Sequence, residues 1–177
     1  LWSHRPLKPV GLRWTVAPLE PAQIPSDLTP NSPSESRFSP RGPEFFEYLA
    51  RCPVMRYRLY GLSDTDGWHG YFALGVLRGQ ARVAGVWLRN PCQQHWTAAF
   101  AHALRTAAAT EDACEITVCG SVGPSSHAVE QAGFRITGHV PGVLLSRRGK
   151  VTLPADFQFQ MVDDDSAFMD LGQNYLT

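Results

Sequence analysis

Cysteine and histidine are the residue types in this sequence that bind metals most readily, and one pair has ligand-like spacing. Cys92 and His95 form a Cys-x-x-His pair, and Cys114 and Cys119 follow further along the chain. A zinc site needs four such ligands at the corners of a tetrahedron. Cys114 and Cys119 lie on one predicted strand with side chains on opposite faces, so they do not easily close such a site. We interpret all four cysteines, Cys52 included, as buried or half-buried free thiols, and we expect no metal.

The other titratable side chains offer weaker candidates for chemistry. His102 is predicted to lie in solvent on the polar side of a helix, and His127 and His139 have no cysteine or carboxylate at ligand spacing. The run Asp163–Asp165 lacks the spacing and the glycine of a calcium loop. We therefore interpret that run as part of a solvated tail.

Composition excludes several classes of protein. The chain has 177 residues, of which 44% are apolar, so it suits one domain with a substantial core. Its 16 basic and 16 acidic residues give zero net charge, and we expect no nucleic-acid partner. No apolar run reaches the roughly 18 residues of a membrane span, and no signal peptide is visible. These observations favour a cytoplasmic protein.

The elements that would position these side chains change character at Pro43. Before it, alternation around Leu12, Trp14 and Val16 predicts a short strand, and a Pro-rich arm over 18–43 has room for at most a helical turn or two. The predicted elements after it are a helix at 43–50, strands at 57–61, 70–77 and 81–88, a helix at 94–109, a strand at 114–119, a helix at 124–132, and strands at 134–139, 143–146 and 157–161.

This order predicts an α+β fold built on a mixed, twisted sheet of about six or seven strands. An antiparallel meander over 56–88 is followed by a β-α-β unit, and helices lie on both faces of the sheet. Strands 81–88 and 114–119 are expected to run parallel. We assign residues 1–10 to a linker from an upstream segment, 11–162 to the domain and 163–177 to an acidic C-terminal tail.

The element order and two local sequences resemble the GNAT acetyltransferase superfamily over residues 11–162. Ala132-Gly133-Phe134 ends a helix and enters a strand, where GNAT domains often carry Gly-Phe. The physical reason for the glycine is a helix C-cap, which needs the left-handed conformation. The predicted fold is therefore GNAT-like.

The second local match lies at the start of the long helix. GNAT domains place Gln/Arg-x-x-Gly-x-Gly/Ala there, and this chain has Gln94 to Ala99, with Thr97 at the first glycine position. The resemblance implies acetyl-CoA as cosubstrate, with its pyrophosphate on the N–H groups of this turn. It also implies that the thioester lies in a gap between strands 81–88 and 114–119. The cofactor-binding residues implied in this way are Val86, Leu88, Gln94, His95, Thr97 and Ala99.

The resemblance does not supply a catalytic residue. GNAT enzymes often carry a tyrosine as general acid four residues before the glycine of Gly-Phe, and Val129 stands there. We interpret Ser125 and Ser126 as helix caps and Glu115 as solvent-facing or salt-bridged. The implied reaction is direct transfer of the acyl group to a small-molecule or peptide amine, slowed by the missing acid.

The residues before the first strand add a hint about organisation. Arg5 to Pro9, followed by Leu12-Arg13-Trp14, resembles the junction in proteins with two consecutive GNAT-like domains, and the chain begins with Leu1. We expect an upstream GNAT-like domain. Two alternatives stay open beside the acyltransferase. One is a GNAT-fold domain that has lost catalysis and has a structural or binding role, and the other is a small α+β ligand-binding module unrelated to CoA.

Overall fold

The fold is described from a computed structural model, over residues 11–28, 41–110, 113–120, 124–138 and 160–163. Its strands are β1 (Thr15–Leu19), β2 (Arg56–Asp64), β3 (Gly67–Leu77), β4 (Gly79–Leu88) and β5 (Ala113–Val118). Its helices are α1 (Pro43–Leu49), α2 (Gln93–Thr110) and α3 (Pro124–Ala132). Short 3-10 turns lie at Pro21–Gln23, Ser26–Leu28 and Met161–Asp163.

The strands form one mixed sheet with the spatial order β1-β2-β3-β4-β5. The first four pair antiparallel in sequence order, and β5 pairs parallel to β4. A parallel pair needs a long crossover, and α2 provides it. The predicted α+β class, the antiparallel meander and the parallel β4–β5 pair are all confirmed.

Helices cover both faces of this sheet, each over its own apolar cluster. On one face, α2 and α3 pack on strand residues such as Phe72 and Val83. On the other, α1 and the 3-10 turns pack on Tyr71 and Trp87. Neighbouring residues such as Tyr71 and Phe72 point to opposite faces because side chains alternate along a strand.

Glycines make the tight connections that the meander requires. Gly67 (φ 121°) follows the β2–β3 turn, and Gly79 (φ 76°) follows the one-residue β3–β4 turn at Arg78. Gly133 (φ 115°) ends α3, as the predicted C-cap requires. Residues with a Cβ rarely adopt these angles, so the turns depend on glycine.

The structure departs from the predicted strands at both ends of the domain. The first strand lies at Thr15–Leu19 and not around 12–16, and it includes Pro18. An edge strand tolerates proline because one side of its ladder needs no N–H donor. The predicted strand at 134–139 is wrong over 134–138, which form no strand.

The described residues therefore contain five strands, against the six or seven expected. Met161 lies in a 3-10 turn, so the predicted strand at 157–161 is wrong at its end. Residues 139–159 lie outside the described residues, and so do the predicted linker at 1–10 and residues 164–177 of the predicted tail. Within the described residues, no helix is long and apolar enough to cross a membrane.

Candidate functional site

Strands β4 and β5 separate halfway along β4. Their pairing begins at Gly79 and ends where Val83 lies opposite Val118, whereas β4 continues to Leu88. Residues 85–88 of β4 are paired with β3 but not with β5. This half of β4 has one backbone edge facing the space that β5 has left.

A β-bulge lies at the point of separation. Ala73 of β3 pairs with Gly85 and Leu74 pairs with Val83, so Ala84 is an extra residue in β4. An extra residue bends its strand and increases the local twist. The bend explains why β4 departs from β5 at this position.

The N–H groups of Val86 and Leu88 point into this gap. Arg89 N–H donates to the backbone oxygen of His69 on β3 (2.9 Å). Because successive N–H groups of a strand point to alternate sides, the N–H groups of Val86 and Leu88 face away from β3. Val86 N–H donates to the side-chain Oε1 of Gln160 in a short contact. The resemblance implied that Val86 and Leu88 align a thioester, and the gap brings their N–H groups to one edge.

Gln160 lies against β4 where the strand has no Cβ. A Cβ built on Gly85 would lie 3.0 Å from Gln160 Oε1 and 2.3 Å from the Trp87 ring. Gln160, Met161 and Val162 are all buried. The Gln160 carboxamide thus presents a carbonyl oxygen to Val86 N–H, the same group that a thioester carbonyl would present.

The first turn of α2 follows β4 after a short loop. Trp96 N–H donates to Cys92 O (3.0 Å), and from Thr97 onward the N–H groups lie inside the helical ladder. Helix geometry therefore directs an anion to the donors of Gln93–His95, and Ala99 is fully buried further along the helix.

Two side chains that were expected at this turn make specific hydrogen bonds. Thr97 Oγ1 lies 2.9 Å from both Gln93 O and Gln131 Oε1 of α3, and its one hydroxyl proton is shared between these two acceptors. His95 Nδ1 lies 2.6 Å from Asn90 O. Gln94 is exposed. Thr97 therefore ties α2 to α3, whereas Gln94 is the expected site residue that lies in solvent.

The region of the expected general acid is packed. Val129 is 6% exposed within the core under α2 and α3, and a Cβ on Gly120 would lie 3.0 Å from its Cγ2. Ser125 is also buried. Glu115 is half-buried and accepts a hydrogen bond from Gln80 Nε2 (2.7 Å).

Sequence analysis did not predict the cluster of histidines around Trp14. His102 was expected in solvent, but it is half-buried, stacks on Trp14 (ring centroids 6.2 Å apart) and contacts Leu12 O at 3.1 Å. His69 also stacks on Trp14, at 4.9 Å, and lies 2.6 Å from Asp64. The hairpin turn after Asp64 was recognised, and it is the signal that could have placed these two side chains together.

Metal ligands do not converge in the part of the chain that is described. Those residues contain no group of three or more His, Cys, Asp and Glu placed to hold an ion. The four cysteines are free thiols, but Cys92, Cys114 and Cys119 are exposed, so the expectation of burial was wrong for these three. Exposure follows for Cys114 because its side of β5 faces away from the core.

The chain was also compared with known proteins. Comparison with protein-family models, with curated proteins and with solved structures found no match in any of the three. The site therefore has to be interpreted from its own geometry.

Proposed function

We propose that the protein is a CoA-dependent N-acyltransferase, with acetyl-CoA as donor and an amine as acceptor. The observation that carries the proposal is the inward-facing N–H of Val86 in the gap between β4 and β5, beside the N-terminus of α2. A backbone donor in a partly dry gap polarises a carbonyl, and a helix N-terminus attracts a phosphate. The two features together suit a thioester joined to a pyrophosphate.

In the proposed reaction, the acceptor nitrogen attacks the thioester carbonyl carbon. The new C–N bond forms, the C–S bond breaks, and CoA leaves as a thiolate while the amine loses its proton to solvent. Val86 N–H stabilises the negative charge that develops on the carbonyl oxygen. A thiol has an ordinary pKa of about 8.5, so the thiolate leaves without the acid that Val129 cannot provide.

Gln160 competes with acetyl-CoA for the Val86 N–H group in this scheme. Its carboxamide oxygen accepts the Val86 N–H bond that the thioester carbonyl needs. Donor binding therefore requires the Gln160 side chain to move. We expect Gln160→Ala to bind acetyl-CoA more tightly than the parent protein, because the competing acceptor is gone.

Calorimetry with acetyl-CoA tests the proposal on the parent protein, two variants and one control variant. Gln160→Ala should bind more tightly than the parent, and Gln94→Glu should bind more weakly because it adds a negative charge at the exposed first turn of α2. The control is Glu47→Gln on the distant helix α1. A change at Gln131 would not serve, because Gln131 contacts Thr97. Absence of binding to both the parent and Gln160→Ala would refute the proposal.

The packing of Val129 supports a second function, a GNAT-like domain that has lost catalysis and serves a structural or binding role. Val129 is buried where the family's acid would stand. Val129→Tyr separates the two functions, since a restored general acid commonly raises the rate about 10²–10⁴-fold. If this variant folds and binds acetyl-CoA but transfers no acyl group to a panel of amines, the second function holds.

A further inference from the structure

Trp14 lies at the centre of a cluster of three histidines whose side chains have no part in the acyltransferase scheme. The His69 ring stacks on the indole at 4.9 Å with an interplanar angle of 16°, and His102 lies at 6.2 Å and 20°. His95 meets the indole edge-on at 5.4 Å. The indole is 7% exposed, although it directly precedes the edge strand β1. These rings dock the start of β1 onto β3 and α2.

A second β-bulge turns His69 towards this cluster. Leu62 pairs with Gly70 and Ser63 pairs with Trp68, so His69 is an extra residue in β3. Tyr71 points to the α1 face, so regular alternation would place His69 on that face too. The bulge instead places His69 with Trp14 on the α2 face. Bulges commonly re-aim a single side chain in this way.

The hydrogen bonds of two of these rings fix their protons. His102 Nε2 lies 3.1 Å from Leu12 O and His95 Nδ1 lies 2.6 Å from Asn90 O. A carbonyl oxygen only accepts, so both nitrogens carry hydrogen. Each neutral ring then has one nitrogen left as a proton acceptor.

The charges around the indole favour one added proton and oppose the next. His69 Nε2 lies 2.6 Å from Asp64 Oδ2, but without hydrogen-bond geometry, so the attraction depends on the charge of His69. Asp64 is well placed as a counter-ion because hydrogen bonding from Asp66 N–H, with His69 next to it, lowers the pKa of the Asp64 carboxyl.

Protons on the α2 histidines are less well accommodated. A charged His95 would lie 6.2 Å from His69, between ring centroids, and at the positive end of α2. Burial lowers the pKa of His102 below its ordinary value of 6.5, and the nearby Arg105 lowers it further, against the Leu12 bond. The titratable and charged groups around the indole are thus Asp64 on β2, His69 on β3, and His95, His102 and Arg105 on α2.

We propose that Trp14 and its three histidines form an acid-sensitive clasp that holds the start of β1 on α2 and releases it when more than one histidine is protonated. The sign follows from His102. Its docked form binds a proton more weakly than its released form, so docking is complete above about pH 6.5 and is lost as the pH falls below that value. Each such proton raises the opening constant by up to about tenfold per pH unit. This device uses the side chain of His95, whereas the proposed acyl transfer uses only its backbone N–H.

Amide hydrogen exchange of the full chain, divided by the intrinsic rate at each pH, tests the clasp. Protection of β1 should fall by up to about tenfold per pH unit and proton below about pH 6.5, while protection of the fully buried centre of β3 stays constant. Equal protection of β1 above and below that pH would overturn the proposal.

Variants assign the effect to the cluster. The combined change His69→Gln, His95→Gln and His102→Gln should abolish the pH dependence, whereas His127→Gln, an exposed histidine on α3, should preserve it. Asp64→Asn keeps an oxygen for Asp66 N–H but removes the counter-ion of His69, so it should move the release to higher pH. A pH dependence that survives the triple change would overturn the proposal. A release pH that Asp64→Asn leaves unchanged would also overturn it, and this second test applies even if the triple variant does not fold.

Discussion

The two halves of β4 have the same neighbour on one side and different neighbours on the other. Residues 79–83 lie between β3 and β5, whereas residues 85–88 pair with β3 alone among the described strands, and Val86 N–H donates to the Gln160 side chain. The first half is therefore ordinary sheet interior. The second half has a strand edge inside the molecule, and the N–H and C=O groups of such an edge can bind any group that forms hydrogen bonds with backbone. A site for a polar ligand can thus arise from a pairing that stops early.

The largest effect is expected in the closed half. Leu74→Ala should lower the free energy of unfolding by about 2–5 kcal/mol, because Leu74 is fully buried opposite Val83. Urea unfolding measures the loss, with Val54→Ala at an exposed position (47%) as the control. A loss below about 1 kcal/mol would mean that the closed half is not tightly packed.

The next effect tests how closely β3 approaches the open half. Gly70→Ala should cost about 1–3 kcal/mol, since its Cβ would lie 2.2 Å from the backbone oxygen of Trp87, which cannot rotate away. Gly11→Ala is the matched control because a Cβ there meets nothing within 4 Å. Equal stability of the two variants would show that β4 can move away from β3.

Alkaline pH should weaken the open half through Tyr71, which stacks on Trp87 at 4.8 Å. Burial raises the pKa of Tyr71 above its ordinary value of 10.0, so the unfolded chain ionises first. Its contribution is fully present below that value and falls above it by up to about 1.4 kcal/mol per pH unit. Urea unfolding on both sides of that pH, with Tyr71→Phe for comparison, measures this term. An identical slope in both proteins would contradict it.

The smallest effect has the opposite sign. Tyr71 OH and Trp87 Nε1 are buried and have no hydrogen-bond partner among the described residues. Burying a hydroxyl without a partner costs the free energy of its lost hydration. Tyr71→Phe removes that cost, so it should stabilise the protein by about 1 kcal/mol at neutral pH. Thermal unfolding detects this change as a higher Tm. A lower Tm would show that the hydroxyl has a partner, such as a buried water.

The elements that sequence analysis located well are those whose apolar pattern lies within a single segment. The helix at 94–109 was found at Gln93–Thr110, and the strand at 81–88 at Gly79–Leu88, because apolar periodicity is a property of one segment. The parallel pairing of strands 81–88 and 114–119 was also predicted, because the long helix between them provides the crossover that a parallel pair needs.

The features that shape the two sites depend on contacts between segments. The bulges at His69 and Ala84 are mismatches between two strands, and alternation in either strand alone does not reveal them. His102 was placed in solvent from its helical neighbours, but its ring is covered by Trp14, far upstream in the chain. The bond between Val86 and Gln160 likewise joins distant segments and has no local signature.

The order of strands in the sheet has a consequence for how the chain acquires its structure over time. Strands β2, β3 and β4 are joined by tight turns, so their pairing closes short loops and can form early in folding. The pairing of β5 must wait for the whole of α2, and the contact of Gln160 with Val86 spans 74 positions. The gap beside Val86 is therefore among the last parts of the sheet to be completed, and during synthesis it stays open until the segment that carries Gln160 has been made.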